Sequence, residues 1–232
     1  MDSSTEEIRK SIEKIHERFY IGYHGVKLPH KFKIATGGCP NNCVKPDLND
    51  LGIIGQRIPN FDEDMCNGCK KCQVANMCPM KACKVEDGVL EIDPEVCNNC
   101  GRCVGQCPFD AIEDGKYGFK IYIGGRWGKK VAHGIPLTRI FTSEEEVLDM
   151  VESAILLFRD EGISGERFAD TVARVGFENA EKAILSDDLL ARKEEILENV
   201  EIIFNPNGLR TPSFEVQLST DGVNYEKVYS RY

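Results

Sequence analysis

Two stretches of the chain repeat one cysteine pattern, and that pattern limits what the middle of the molecule can become. The first copy, CNGCKKCQVANMCP, carries Cys66, Cys69, Cys72 and Cys78; the second, CNNCGRCVGQCP, carries Cys97, Cys100, Cys103 and Cys107. The first three cysteines of the two copies are offset by 31 residues and the fourth by 29, because the first copy has two extra residues ahead of its Cys-Pro. Ala82 and Ala111 fall at matching places beyond Pro79 and Pro108. The chain holds 11 cysteines, far too many for chance in a cytosolic protein. The count is odd, and the N-terminus, MDSSTEEIRK, is charged and lacks the apolar stretch of an export signal. A disulfide framework is therefore the poorer account, and a cytoplasmic location is expected. Thiolates gathered for metal are the better account.

The C-x2-C-x2-C-x3-C-P spacing resembles that of bacterial two-cluster ferredoxins, in which three close thiolates hold one cubane and the fourth reaches across to the other. The resemblance implies one [4Fe–4S] cluster on Cys66, Cys69, Cys72 and Cys107. It implies a second on Cys97, Cys100, Cys103 and Cys78. The first copy departs from the pattern only in its longer gap before Cys78. The prolines stiffen the chain after each reaching ligand. Paired zinc sites compete with this reading, since C-x2-C is also zinc vocabulary, but zinc sites lack the third close cysteine and the trailing Cys-Pro. Cys83 fits neither copy and reads as a buried core thiol.

A length of 232 residues suits one sizeable core, or a core with a small inserted module. The net charge of −9 argues against nucleic-acid binding, which draws its affinity from Lys and Arg. It suits docking against a basic partner. No apolar run approaches the roughly 20 residues of a membrane-spanning helix.

Residues 4–20 read as a helix, with Ser4 and Glu7 as a capping box and Ile8, Ile12, Ile15 and Phe19 on one face. KFKIAT (31–36), GIIGQRI (52–58) and FKIYIGG (119–125) read as strands. Residues 143–160 read as a helix capped by Ser143 and Glu146, with Val147, Val151, Ala154, Ile155 and Phe158 on its buried face. A further helix ends at Gly176, and another covers 178–199 with a break near Ser186. The tail FEVQLSTDGVNYEKVYS predicts a β-hairpin turning at Asp221-Gly222 and carries no evident chemistry.

Outside the repeat, LPHKFKIATGGCPNNC (28–43), DLGIIGQ and FKIYIGGRWGKK stand out, because Cys39 and Cys43 look like half of a metal site. In combination with the insert these segments resemble the siroheme-dependent sulfite and nitrite reductases that carry a ferredoxin module within a half-domain. The resemblance covers roughly residues 15–195. It implies that Cys39 is a ligand of a third [4Fe–4S] cluster and that Cys43 bridges that cluster to siroheme iron. Lys31 and Lys33 match the family's catalytic lysines, which hold a small anionic substrate, sulfite or nitrite, and supply protons. Arg126, Lys129 and Lys130 lie in a basic, glycine-rich loop suited to the siroheme carboxylates, although a solvated loop is an equal reading. His30 stands beside Lys31, within reach of substrate, whereas His16, His24 and His133 read as ordinary surface or core residues.

The family completes its siroheme-linked cluster with a C-x5-C, and no such pair precedes Cys39. The expectation is a chain that starts just after those ligands, either a fragment or a relative that has lost the siroheme site. The implied fold is α+β. A reductase half-domain, 1–60 and 116–200, is interrupted by a two-cluster insert at 61–115 built of two short β-α-β repeats, and 201–232 form a hairpin tail. The implied partners are a redox donor protein and either a second copy or a sister subunit. An electron carrier without siroheme is the alternative.

Overall fold

The computed structural model of the chain describes residues 13–23, 25–198, 215–219 and 225–227, and these form an α+β protein. Its strands are β1 (Lys33–Gly37), β2 (Leu51–Phe61), β3 (Cys83–Glu86), β4 (Val89–Ile92), β5 (Ile112–Ile123), β6 (Ile135–Phe141), β7 (Glu215–Ser219) and β8 (Tyr225–Lys227). Its α-helices are α1 (Gln73–Met77), α2 (Glu144–Glu161), α3 (Phe168–Val175), α4 (Phe177–Leu185), α5 (Asp188–Ala191) and α6 (Lys193–Glu198), and a π-helical turn spans His16–Ile21. A six-stranded sheet runs in the order β6-β5-β2-β1-β7-β8, and β3 and β4 form a sheet of their own. Two compact units emerge. One comprises Met1–Gly38, Asn42–Ile54 and Lys120–Tyr232, and the other Cys39–Asn41 and Gly55–Phe119.

In the first unit, β1 pairs in parallel with β2, placing Ile34 opposite Leu51. The link between these parallel strands includes a buried 3₁₀ turn, Pro46–Leu48. That turn lies hard on the strand: a Cβ at Gly52 would stand 2.5 Å from the Pro46 carbonyl oxygen. Helix α2 buries Val147, Val151, Ala154, Ile155 and Phe158, the face its 3.6-residue period predicts. Phe32, Phe158 and Phe168 meet pairwise with ring centroids 5.1–5.9 Å apart, which ties β1's lead-in, α2 and α3 into one core.

Several local expectations need correction. Ser143 does precede α2, but its side chain makes no capping bond, and Glu146 turns to Arg139 instead. The helix expected over 178–199 does break at Ser186, which takes an extended conformation, but it breaks again at Arg192 and so forms three pieces, α4 to α6. Strand β6 gave no signal in the sequence, because it carries Pro136; it lies at the edge of the sheet, where proline is tolerated. The capping box at Ser4 and the turn at Asp221-Gly222 lie outside the described residues. β7 and β8 pair antiparallel, with Leu218 opposite Glu226.

Glu152 on α2 is 2% exposed and meets Lys193 at 2.6 Å, together with Arg18 and the Tyr23 hydroxyl. Burial works to raise this carboxyl, but Lys193, Tyr23 and Arg18 outweigh it and hold it below its ordinary 4.5. A depressed folded value means that this contribution is intact above pH 4.5 and is lost as pH falls through the folded value. Glu152→Gln is therefore expected to flatten the acid limb of the unit's stability against pH, measured by urea unfolding, while lowering stability at neutral pH.

The second unit runs from 55 to 119, wider than the 61–115 read from composition. Its flanks belong to it through Arg57, whose N–H donates to the Asn99 carbonyl at 2.8 Å and whose guanidinium clasps Asp114 at 2.8 and 2.9 Å. The core is Val74, Cys83, Leu90, Cys103 and Ile112. Two β-α-β repeats do not form. The first copy has five residues between Cys72 and Cys78 and makes α1 there. The second has three, Val104-Gly105-Gln106, with Gly105 at φ +68°, and makes only a turn.

Candidate metal centres

The repeat in the sequence is also a repeat in the backbone. Gly68 and Asn99, the third residues of the two C-x2-C turns, are both left-handed, at φ +56° and +54°. Lys81 and Asp110, three residues beyond the reaching cysteines, are both at +56°. Their N–H groups donate to the carbonyls of Cys78 and Cys107, each at 3.2 Å. The copies are then laced to each other: the Asp93 N–H donates to Ala82 at 2.8 Å and the Asp62 N–H to Ala111 at 2.9 Å. Each aspartate stands four residues before the first cysteine of its copy. Glycine is required at 68, since a Cβ there would lie 2.0 Å from the Gly88 carbonyl oxygen.

This lacing exchanges the fourth cysteines. Cys66, Cys69 and Cys72 line one cavity together with Cys107 of the other copy. Cys97, Cys100 and Cys103 line another together with Cys78, and Cys83 is in its wall. The donor chemistry fits a thiolate-bound group. The Asn99 N–H points to the Cys97 sulfur at 3.5 Å. Burial works to raise the Cys78 thiol, but the N–H groups of Ala82, Met80 and Cys83 and the Cys83 thiol outweigh it and hold Cys78 below its ordinary value. Hydrogen bonds to sulfur of this kind stabilise thiolate ligands and tune cluster potentials. Burial pushes Cys103 up, and burial with the neighbouring Cys78 pushes Cys83 up to about 12.

Cys39 and Cys43 line neither cavity, and both are exposed. The turn after Cys43 is pinned by Asn42, whose side-chain amide donates to Asp47 at 2.6 Å, and Asp47 also meets His133 at 2.5 Å. His133 thus has a partner that its sequence neighbours do not reveal. Thr36 Oγ1 and Asn42 Oδ1 are buried without a hydrogen-bond partner among the described residues, which fits a polar group bound beside this turn. Lys31 and Lys33 are half-buried, and His30 Nδ1 accepts the Lys31 N–H at 2.8 Å. Arg126 holds Asp170 at 2.8 and 2.9 Å, while Lys129 and Lys130 are exposed. An Arg126–Ala132 backbone pair closes their loop.

Sequence reasoning missed Asp50 and Arg167. Asp50 is 0% exposed, takes Arg167 Nη2 at 2.7 and 3.0 Å, and accepts the Lys33 N–H at 3.0 Å, so it fixes the start of β1. Burial pushes its carboxyl above the ordinary 3.8 even with Arg167 beside it. The two residues lie 117 positions apart, and no local pattern links them.

The family model of the nitrite and sulphite reductase 4Fe-4S domain matches residues 4–192. The chain belongs to that family. It is similar to the coenzyme F420-dependent sulfite reductase of Methanocaldococcus jannaschii, 34% identical over 151 residues, which is 64% of this chain and 24% of that protein. It is also similar to the dissimilatory-type sulfite reductase subunit alpha of Allochromatium vinosum, 24% identical over 95% of this chain and 53% of that protein. Among solved structures, dissimilatory sulfite reductase I matches with a TM-score of 0.49 and 24% identity over 79% of this chain and 48% of that one. The chain thus spans between about a quarter and about half of the curated relatives it matches. The matched domain is an iron–sulfur domain, and both named relatives are sulfite reductases. No helix among its described residues is long and apolar enough to cross a membrane.

Proposed function

We propose that the chain is the cluster-bearing half of a siroheme-type reductase, in which two [4Fe–4S] clusters relay electrons toward a siroheme-linked centre where sulfite is reduced. The gathering of eight cysteines into two sets of four, each completed by the other copy, carries the electron-relay part of this reading. Cys66, Cys69, Cys72 and Cys107 would hold one cluster, and Cys97, Cys100, Cys103 and Cys78 the other. Cys39 and Cys43 would help hold the siroheme-linked cluster, with Lys129, Lys130 and Arg126 available to the siroheme carboxylates. Such a centre, when bound, would supply the electrons for reducing a small oxyanion. The residues of this chain do the rest: Lys31 and Lys33 attract the anion and deliver protons, and Asp50 holds the Lys33 backbone in place. Sulfite is preferred to nitrite because the named relatives are sulfite reductases. A second copy or a sister subunit would complete the assembly, in keeping with a relative that is itself a subunit. A stable monomer by light scattering, with no partner recovered from the native host, would count against that.

The test is anaerobic purification followed by iron, sulfide and siroheme analysis, then sulfite turnover with a reduced dye as donor. Lys31→Met and Lys33→Met should each reduce turnover at least tenfold without loss of iron. Full iron with no siroheme uptake and no turnover in any assembly would leave the electron-carrier reading. That reading draws support from the confinement of all eight cysteines to the second unit.

A further inference from the structure

The cavity lined by Cys78, Cys97, Cys100 and Cys103 has a fifth cysteine in its wall. Cys83 is 6% exposed, opens strand β3 and packs with Val74, Leu90, Cys103 and Ile112. It lines that cavity beside Cys78, which packs against the same core, so its thiol and its N–H both lie close to the Cys78 sulfur. The other copy differs at this point. Ala82 corresponds to Ala111, so the counterpart of Cys83 is Ile112, a buried side chain with no donor. One cavity thus has an S–H group at the point where the other copy offers an alkyl side chain.

We propose that the Cys83 thiol donates a hydrogen bond to the Cys78 sulfur and thereby makes the reduction potential of the cluster in its cavity more positive. The inference rests on the two-cluster reading above. The physical reason is simple: an added electron increases negative charge on the ligand sulfurs, and a fixed donor in a poorly solvated site stabilises that charge. Cys83 acts through Cys78 and is a positioning and tuning residue, not a ligand. Because the second copy has no such thiol, this effect acts on one cluster of the pair and biases where an added electron settles.

The experiment is an EPR-monitored redox titration of the whole chain, purified without oxygen, as wild type, Cys83→Val and Cys83→Ser. Cys83→Val should retain all iron and shift one midpoint negative, with the reduced-to-oxidised ratio at fixed potential falling about tenfold, or about 59 mV for a one-electron couple. The other midpoint should not move. Cys83→Ser, which keeps a donor, should recover part of the shift. If valine does not fit, Cys83→Ala provides the same loss of donor. Unmoved midpoints, equal shifts in both, or loss of iron would each overturn the proposal, the last by making Cys83 a ligand. Wild-type protein with zinc, or without about eight irons, would instead overturn the cluster reading beneath it.

Discussion

Replacing Cys66 or Cys97 with serine will halve the iron of the anaerobically purified chain, from about eight atoms to about four. Each variant removes one of four thiols from one cavity and leaves the other set intact. The second unit should also lose stability well beyond what a surface substitution costs, because its apolar core is five buried residues and metal binding is coupled to folding in units of this size. Cys78→Ala should behave as Cys97→Ser does, although it comes from the first copy. Cys83→Ala should leave the iron content unchanged. Iron analysis beside thermal melts would check all four, and a Cys78→Ala protein with full iron would break the assignment.

The largest expected effect in the first unit comes from Arg167→Leu. This change leaves the Asp50 carboxylate, 0% exposed, with the Lys33 N–H as its remaining partner among those described above. Breaking a buried pair from one side costs about 3–5 kcal/mol, which corresponds to a fall of roughly 10 °C in melting temperature for a unit of this size. The pH dependence follows from the direction of the Asp50 shift. Its folded value lies above 3.8, so between 3.8 and that value the folded chain holds a proton that the unfolded chain has lost. Stability falls as pH rises through that interval. In Arg167→Leu the folded value climbs further, so the loss should be deepest at neutral pH and relieved in acid. Asp50→Asn added to Arg167→Leu should restore part of the stability, since an amide needs no counter-charge. A melt of Arg167→Leu that matches wild type would show that the pair carries little.

What the sequence revealed and what it hid divide along physical lines. Helices α2 and α3 were legible because their apolar residues repeat with the helical period and Gly176, at φ +91°, ends the second. The two thiol sets were legible because their spacing is set by the group they would hold. The missing helix of the second copy followed from a two-residue deletion whose consequence only the backbone shows. Strand β6 was hidden by Pro136, and the α2 cap by the competition of Arg139 for Glu146. Asp50 and Arg167 were hidden because a salt bridge across 117 residues leaves no trace in any local window. The Cys83 contact to Cys78 was equally invisible, since an apolar slot occupied by a thiol looks the same whether or not the thiol has a task.

The exchange of Cys78 and Cys107 makes the two copies interdependent. A lone copy would surround its own cavity with three thiols and carry a fourth that serves only a neighbour. Because both copies lie in one chain, the linker through β3 and β4 keeps each Cys-Pro arm at high effective concentration near its destination. The same covalent link lets the copies differ: one has α1 and the thiol at 83 where the other has Gly105 and Ile112, a difference that two identical chains could not hold.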